Sequence, residues 1–171
     1  PVDRDRLYAI AARHKLRVIE DAAQSMGASW AGRRIGSCGD LVAISFHANK
    51  NITTAEGGMA VTNAADLANA MSLLRSHGIT RDVQQMTHTP DGPWYYQQID
   101  LGFNYRMTDI QAALGLSQMV RLDEFVAQRH AIADRYDRLL AGANVIVPWQ
   151  HPDGYSGLHL YVVRLRSGAT N

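Results

Sequence analysis

The hydrophobic and polar positions follow a helical period first and a strand pattern afterwards. Asp3 can cap a helix whose apolar side repeats at helical spacing; its members are Leu7, Ile10, Ala11 and His14. The segment from Arg17 to Asp21, RVIED, then predicts a short strand. The almost unbroken apolar run from Leu41 to Phe46 is typical of a strand that is covered on both faces in a parallel sheet.

The next two segments add a third strand and a second helix. Gly58 to Thr62 is a third strand candidate, and Asn63 can cap a helix from Ala64 to Ser76. The order helix, strand, strand, strand, helix with short connections predicts a layered α/β domain.

Periodicity is lost between His77 and Phe103, where glycine, proline, aspartate and aromatic residues dominate. A loop of this length inside a domain is usually functional or mobile. The T-x-x-Q box of Thr108 and Gln111 then predicts a helix start. Helical spacing continues towards Gly142 and leaves open whether one bent helix or two follow, while the segment from Leu158 to Leu165 predicts a strand of another sheet.

Composition excludes several classes of protein. The chain has 171 residues, 46% hydrophobic and 19% charged, which suits one globular unit with a core. A net charge of +1 without a basic stripe argues against nucleic-acid binding. The single cysteine, Cys38, excludes an internal disulfide and a cysteine-rich zinc site, and no metal is expected.

The absence of a long apolar run predicts a protein without a membrane span, and no signal peptide is recognisable. We therefore expect a cytoplasmic protein. The chain opens on Pro1 rather than on methionine and ends just after a strand-like segment, so we also expect a piece of a longer protein.

Four polar residues fall at or just after predicted strands. Asp21 closes the first strand, Gln24 follows it by three positions, Ser45 lies at the end of the second strand, and Lys50 lies five positions later. In open α/β sheets, ligands bind beyond the carboxyl ends of strands. Pyridoxal phosphate needs a lysine for a Schiff base and an acid for its pyridine nitrogen. Taken singly, however, such residues are more often a cap, a turn residue or a solvated side chain.

Three longer segments resemble the DegT/DnrJ/EryC1/StrS family of nucleotide-sugar aminotransferases, which depend on pyridoxal phosphate. They are VIEDAAQSMGA, GDLVAISFHANKNITTAEGGMAVTN and LGFNYRMTDIQAALGLSQMVRLDEF. The resemblance implies the α/β fold of aspartate aminotransferase (fold type I). Residues 1–120 would be part of its large, cofactor-binding domain, and residues 121–171 the connecting helix and the start of the small C-terminal domain.

The resemblance also implies roles for individual residues. Lys50 would form the Schiff base, Asp21 would pair with the pyridine nitrogen, and Gln24 would lie beside the ring and its 3-hydroxyl. Ser45 would bind the phosphate, and Asn104 would reach the phosphate of the neighbouring subunit in a homodimer. A dehydratase branch of the family has histidine at the lysine position, so Lys50 argues for amino transfer. The family's upstream phosphate-binding segment has no counterpart in the chain.

Within the family, LRSHGITRD, DGPWYYQQIDLGFNYR and HPDGYSGLHLYVVRL are similar to the pseudaminic acid branch. That similarity implies amino transfer, with glutamate as donor, to the 4-keto group of a UDP-linked 6-deoxy-N-acetylhexosamine. Trp94, Tyr95 and Tyr96 would be sugar-nucleotide contacts or, equally, an aromatic anchor for the loop. The alternatives are another nucleotide-linked keto-sugar and a catalytically silent, regulatory member. A dinucleotide-binding domain has little support, because neither G-x-G-x-x-G nor a P-loop is present.

Overall fold

The structure is a computed structural model that describes residues 2–166. Along these residues the helices are α1 (Arg4–Arg13), α2 (Ala65–Arg75), α3 (Asp109–Met119) and α4 (Leu122–Leu139). The strands are β1 (Ile19–Asp21), β2 (Ser29–Trp30), β3 (Arg33–Arg34), β4 (Leu41–Ser45), β5 (Gly58–Val61), β6 (Ile79–Thr80), β7 (Gln97–Gln98), β8 (Val145–Ile146), β9 (Gly154–Tyr155) and β10 (Arg164–Leu165).

The central sheet has the strand order β1-β4-β5 and confirms the α/β class. β1 runs parallel to β4, whereas β5 runs antiparallel to it. The prediction of a purely parallel, doubly covered β4 is therefore wrong. Val42 is buried, but Ala43 on the opposite face is exposed, as is Ile19, which is 75% exposed on β1. One face of the sheet is packed and the other is open in residues 2–166.

Helix α1 begins as the sequence predicts, because the Asp3 carboxylate accepts a hydrogen bond from the backbone N–H of Arg6. A buried polar contact fixes it to β1, and of the predicted apolar side only Ala11 is buried. Arg4, 3% exposed, donates two hydrogen bonds to the Glu20 carboxylate, which also accepts one from the Tyr8 hydroxyl. Hydrogen bonding to Glu20 raises the pKa of Arg4 further. Leu7 and Ile10 remain exposed.

Of the two capping predictions for the next helices, one is confirmed and the other is wrong. The capping box of Thr108 and Gln111 is confirmed at α3. Asn63, by contrast, does not cap α2: the cap position is Ala64, without a side-chain hydrogen bond, and the Asn63 amide donates instead to the Ser37 carbonyl. The long helical stretch is two helices, because α3 ends at Met119 and α4 begins at Leu122.

Residues 2–166 also form three small sheets, and the sequence predicted a strand in only one of them. β9 pairs with β2, which also pairs with β3, and β6 pairs with β7 inside the segment that the sequence leaves irregular. β10 pairs with β8. The predicted strand from Leu158 to Leu165 is correct only at its last two residues, and Leu158 itself has a positive φ of 46°, a backbone conformation that a strand does not contain.

The buried core joins the central sheet to the first turns of α4. Phe46 follows β4 directly, Ile52 lies further along the same loop, and Leu122 and Val126 come from α4. Gly27 has a φ of 82° and lies so close to α4 that an added Cβ would be 2.6 Å from Val126 Cγ2. None of the helices between residues 2 and 166 is long and apolar enough to cross a membrane. The same residues contain no cluster of three or more side chains suited to hold a metal ion.

Candidate active site

The parallel pairing of β1 and β4 brings the first two candidate residues to one edge of the sheet. Asp21 is the last residue of β1 and pairs with Ala43, and Ser45, the last residue of β4, lies two positions further along. Because side chains two apart in a strand share a face, and paired residues of neighbouring strands point the same way, both side chains lie on the open face of the sheet. This edge is the carboxyl end of both strands, where open α/β sheets bind ligands.

Each of these two side chains has unused hydrogen-bonding capacity. Asp21 Oδ1 accepts a hydrogen bond from the backbone N–H of Ala23, and among residues 2–166 nothing donates to Oδ2. Ser45 Oγ accepts one from the backbone N–H of His47, which leaves the hydroxyl hydrogen free to be donated. A carboxylate oxygen and a hydroxyl donor on the same face and at the same edge of the sheet suit a ligand that carries both a protonated nitrogen and a phosphate.

Lys50 lies in the tight turn that follows β4. Its backbone N–H donates to the His47 carbonyl at 3.0 Å, and its side chain is half-buried. Only two lysines occur in the chain, and the other, Lys15, is exposed beyond the end of α1. Lys50 is therefore the one lysine that follows a strand whose carboxyl end carries candidate ligand groups.

The residues after Lys50 fix its loop firmly to the core. Ile52 and Thr54 are buried, and the backbone N–H of Thr54 donates to the Phe46 carbonyl. The backbone N–H of Thr53 donates to Gln118 Oε1 at 2.9 Å, which ties the loop to α3. These contacts hold the backbone of the loop that carries Lys50.

The other two candidates for cofactor contacts lie further out. Gln24 is exposed in the turn after β1. Asn104 is exposed as well, and its backbone pairs with Ser76 at the end of α2. Among residues 2–166, no hydrogen bond joins Asn104 to Asp21, Ser45 or Lys50. Its role in the site of another subunit remains a prediction.

The aromatic residues 94–96 were predicted either to contact the sugar nucleotide or to anchor the loop. The Tyr95 hydroxyl hydrogen-bonds His88 Nε2 at 2.8 Å, so Tyr95 anchors the loop. Trp94 is 72% exposed. Tyr96 is half exposed with the Arg81 guanidinium above its ring. Within the described residues none of the three touches the strand ends by a hydrogen bond, so their contact with a substrate also remains a prediction.

Two residues that the sequence did not single out connect the Lys50 loop, residues 46–57 between β4 and β5, to a distant segment. The Asn51 amide is buried and donates to the carbonyls of Met26 and Gly157, at 2.9 and 2.7 Å. His159 follows Gly157 by two positions, and burial and then the charges of Lys50 and Arg129 lower the pKa of its imidazole. Only the fold could reveal them, because 106 positions separate Asn51 from Gly157.

Comparison with known proteins adds sequence relatives of stated function. The chain is 43% identical over 168 residues to GDP-perosamine synthase of Caulobacter vibrioides. It is 40% identical over 164 residues to the spore coat polysaccharide biosynthesis protein SpsC of Bacillus subtilis. These matches cover 97% and 95% of the chain but 42% of each relative. The chain thus spans less than half the length of these relatives.

Solved structures of sugar aminotransferases superpose on the chain. Spr1654 of Streptococcus pneumoniae in its PMP form superposes with a TM-score of 0.87 at 30% identity over 99% of the chain and 47% of that protein, and it was also solved in a PLP form. PseC of Helicobacter pylori, an aminotransferase of pseudaminic acid biosynthesis, superposes with a TM-score of 0.86 at 29% identity over 98% of the chain and 43% of PseC. The architecture is that of part of an aminotransferase large domain.

The pattern of one family matches the chain from residue 1 to residue 171. The cofactor of that family is pyridoxal phosphate, and the groups at the ends of β1 and β4 fit it: a carboxylate oxygen for the pyridine nitrogen, a hydroxyl for the phosphate and a lysine amine for the aldehyde. The chain belongs to the DegT/DnrJ/EryC1/StrS aminotransferase family.

Proposed function

We propose that the protein transfers an amino group to the keto carbon of a nucleotide-linked sugar, with pyridoxal phosphate as cofactor. The observation that carries the proposal is the fixed position of Lys50 just beyond the strand ends that present Asp21 and Ser45. Pyridoxal phosphate supplies an aldehyde for the donor amine and a ring that takes up electrons from the bond being broken.

Each candidate residue would have its own role in binding or assisting that cofactor. The free Asp21 Oδ2 holds a proton at the pyridine nitrogen, because a carboxylate stabilises the positive charge beside it. The Ser45 hydroxyl donates a hydrogen bond to the phosphate. Lys50 Nζ would hold the cofactor through its aldehyde and, as an amine when not so bound, would carry protons beside it. Gln24, in the turn after β1, would lie beside the ring and its 3-hydroxyl.

The substrate we propose is a UDP-linked 4-keto-6-deoxy-N-acetylhexosamine, with glutamate as the donor, as in pseudaminic acid biosynthesis. The similarity of three segments to that branch and the structural likeness to PseC support this choice. Trp94 is exposed on the loop that carries one of those segments, and an exposed aromatic ring is suited to contact a nucleotide or a sugar face.

A second candidate substrate is a GDP-linked 4-keto sugar. The chain is 43% identical to GDP-perosamine synthase, which favours this alternative. Both substrates present a keto carbon to the same amine, so the choice between them concerns the nucleotide and the sugar substituents rather than the site at the strand ends.

The test is a comparison of products from the full-length protein. We would incubate it with pyridoxal phosphate, glutamate and separate UDP- and GDP-linked 4-keto sugars, and identify the amino sugars by mass spectrometry. An amino sugar from the UDP-linked N-acetylhexosamine alone supports the full proposal, and one from the GDP-linked sugar alone selects the second candidate. Cofactor binding without any product would favour a catalytically silent member.

The family also suggests how the chain is divided. We propose that residues 1–120 belong to the large domain and that residues from 121 onward lead into the small one. The break between α3 and α4 falls at this point. Limited proteolysis of the full-length protein, with cleavage sites read by mass spectrometry, would test the boundary.

A further inference from the structure

One buried side-chain amide joins the Lys50 loop to two other segments of the chain. Asn51, which directly follows Lys50, is 6% exposed. Its Nδ2 donates to the Met26 carbonyl at 2.9 Å and to the Gly157 carbonyl at 2.7 Å. Both partners are acceptors, so the NH2 end of the amide must face them, and both of its hydrogens are used.

The Met26 carbonyl belongs to the turn that starts at Asp21, at the end of β1. The backbone N–H of the buried Ala22 donates to the Ala43 carbonyl of β4 at 2.8 Å. The backbone N–H of Ser25 donates in turn to the Ala22 carbonyl at 2.9 Å. These hydrogen bonds restrain the Met26 carbonyl relative to Asp21, so Asn51 connects the residue after Lys50 to the turn that carries Asp21.

The Gly157 carbonyl is restrained by contacts of its two neighbours with α4. His130 Nε2 donates to the Ser156 carbonyl at 2.8 Å. Arg129 Nη1 donates to the Leu158 carbonyl at 3.2 Å. The second hydrogen of the Asn51 amide therefore also ends on a carbonyl whose position is fixed.

The packing around the amide is close on one side and leaves a polar atom unpaired on the other. A Cβ added at Gly157 would lie 2.6 Å from the Met26 carbonyl oxygen and 2.8 Å from Asn51 Nδ2, so a larger residue does not fit there. Asn51 Oδ1 is buried without a hydrogen-bond partner among residues 2–166. An unpaired buried oxygen lowers stability and calls for an explanation. The need for both hydrogens at the two carbonyls explains why the oxygen end stays unpaired.

We propose that Asn51 is a positioning residue whose amide sets the distance between the Lys50 amine and the Asp21 carboxylate. The inference rests on the proposed function for the identity of the cofactor, and on the contacts of Asn51 for the connection itself. The aldehyde and the pyridine nitrogen lie on opposite sides of one rigid ring, so the amine and the carboxylate must be spaced to meet both. Without the amide donors, Lys50 stays on its loop but its distance from Asp21 varies.

The first experiment tests the connection in the full-length protein without cofactor. Asn51→Leu removes both donors from a side chain of similar size. Asn63→Leu is the matched control, because it removes the same kind of contact, to the Ser37 carbonyl, outside the Lys50 loop. Hydrogen exchange read by mass spectrometry should be about 5- to 10-fold faster in Asn51→Leu in the peptides that contain Met26 and Gly157, as expected for the loss of one hydrogen bond. Asn63→Leu should exchange there as the wild type does. Unchanged exchange of both peptides in Asn51→Leu would overturn the proposal.

The second experiment measures how fast the cofactor attaches to Lys50. Attachment forms a C=N bond between Lys50 Nζ and the aldehyde carbon and releases the aldehyde oxygen as water; absorbance follows the reaction, and borohydride then fixes the product for mass spectrometry. We expect attachment about 10- to 100-fold slower in Asn51→Leu, since a small displacement of a reacting group can cost about 100-fold. The affinity for pyridoxine phosphate, which lacks the aldehyde, should stay nearly unchanged. Asn63→Leu should match the wild type in both measurements. Equal attachment rates in wild type and Asn51→Leu contradict the positioning role.

Asn51→Asp provides a readout that a merely structural role would not change. Its side chain has the size of asparagine, but a carboxylate donates no hydrogen bond, whereas the protonated acid donates one. We expect its attachment rate, divided by that of the wild type at the same pH, to rise as the pH falls, while the same ratio for Asn51→Leu stays constant. Because it keeps the size of the side chain, Asn51→Asp also carries the test where Asn51→Leu is too unstable to purify. A ratio for Asn51→Asp that does not depend on pH speaks against the need for the donors.

The outcomes also separate this inference from the proposed function. If the wild-type protein attaches no cofactor to Lys50, the proposed function fails and the role of Asn51 towards the cofactor fails with it, while hydrogen exchange still decides whether the connection exists. If the wild-type protein attaches the cofactor and makes an amino sugar, but the Asn51 variants attach it equally fast, the role of Asn51 alone fails.

Discussion

At the scale of single residues, the proposed amino transfer depends on which amine the loop after β4 presents. The chain offers two lysines, and only Lys50 lies beyond the strand ends, in a loop held by buried neighbours. The exposed Lys15 has the same chemistry without the same surroundings, which makes it a matched control.

We predict that Lys50→Ala reduces transamination by about 1,000-fold or more while the protein stays folded, since a positioned proton carrier alone contributes about 100- to 10,000-fold. The side chain is half-buried in a turn, so its loss opens no core cavity. Borohydride reduction of the loaded wild type should attach the cofactor to the peptide containing Lys50, and Lys15→Gln should react as the wild type does. Turnover near the wild-type rate in Lys50→Ala would remove Lys50 from the mechanism.

A second prediction for a single residue concerns Asp21→Asn. An amide cannot keep a proton on the pyridine nitrogen, so we expect cofactor to bind but kcat to fall about 100-fold, or ~3 kcal/mol at about 1.4 kcal/mol per factor of ten. The hydrogen bond from the backbone N–H of Ala23 can be kept by the amide oxygen, so the turn should survive. The absorbance spectrum of bound cofactor and kcat together test this; an unaltered kcat would reduce Asp21 to a strand-end cap.

At the scale of elements, the sequence predicted what is local and missed what is defined by distant partners. The capping box of α3 and the strand positions of β4 and β5 follow from neighbours within a few positions. β2 consists of two residues, and its partner β9 lies more than 120 positions away, so no period reveals it. Asn63 is a residue type that often caps helices, but its side-chain amide donates to the Ser37 carbonyl instead.

The residues of the candidate site also differ in whether the sequence could predict them. Asp21, Ser45 and Lys50 could be found because strand ends and the residues after them are visible in the pattern. Asn51 and His159 could not, because their positions depend on a segment that returns to the Lys50 loop from far along the chain. The apolar pattern from Leu158 onward suggested a strand, and tertiary contacts with Arg129 overrode it.

The packing of α4 gives a prediction at this scale, with two glycines as a matched pair. Gly27 and Gly32 both have positive φ, at 82° and 75°, but only Gly27 has neighbours within 4 Å of an added Cβ. We expect Gly32→Ala to lower the free energy of unfolding by about 1–2 kcal/mol, from backbone strain alone. Gly27→Ala should cost about 1–3 kcal/mol more, because its Cβ would overlap Val126. Urea unfolding of the full-length variants tests this, and equal losses would mean that α4 moves aside freely.

At the scale of the whole molecule, the described residues leave much apolar surface uncovered. Leu101, Phe103 and Tyr105, which flank Asn104, are all exposed, and so are Ile110, Leu116 and Val120 around the adjoining helix α3. Exposed apolar residues in one region mark a contact surface more often than free surface. The same region carries the residue that the family places at a neighbouring subunit's cofactor.

We therefore predict a homodimer with two shared sites, each using Lys50 from one subunit and Asn104 from the other. The backbone of Asn104 is already fixed, since it pairs with Ser76 and its neighbours bond the end of α2, so its exposed side chain is free to serve a partner. Mixing Lys50→Ala subunits with Asn104→Ala subunits provides the test. In a mixed dimer one site collects both defects and the other keeps both residues, so activity should recover towards half of the wild-type value for that species. Subunits exchanged to the same extent between Lys50→Ala and Lys50→Ala/Asn104→Ala proteins are the control and should stay inactive. No recovery in mixed dimers that are shown to form would place Asn104 in the site of its own chain or outside any site.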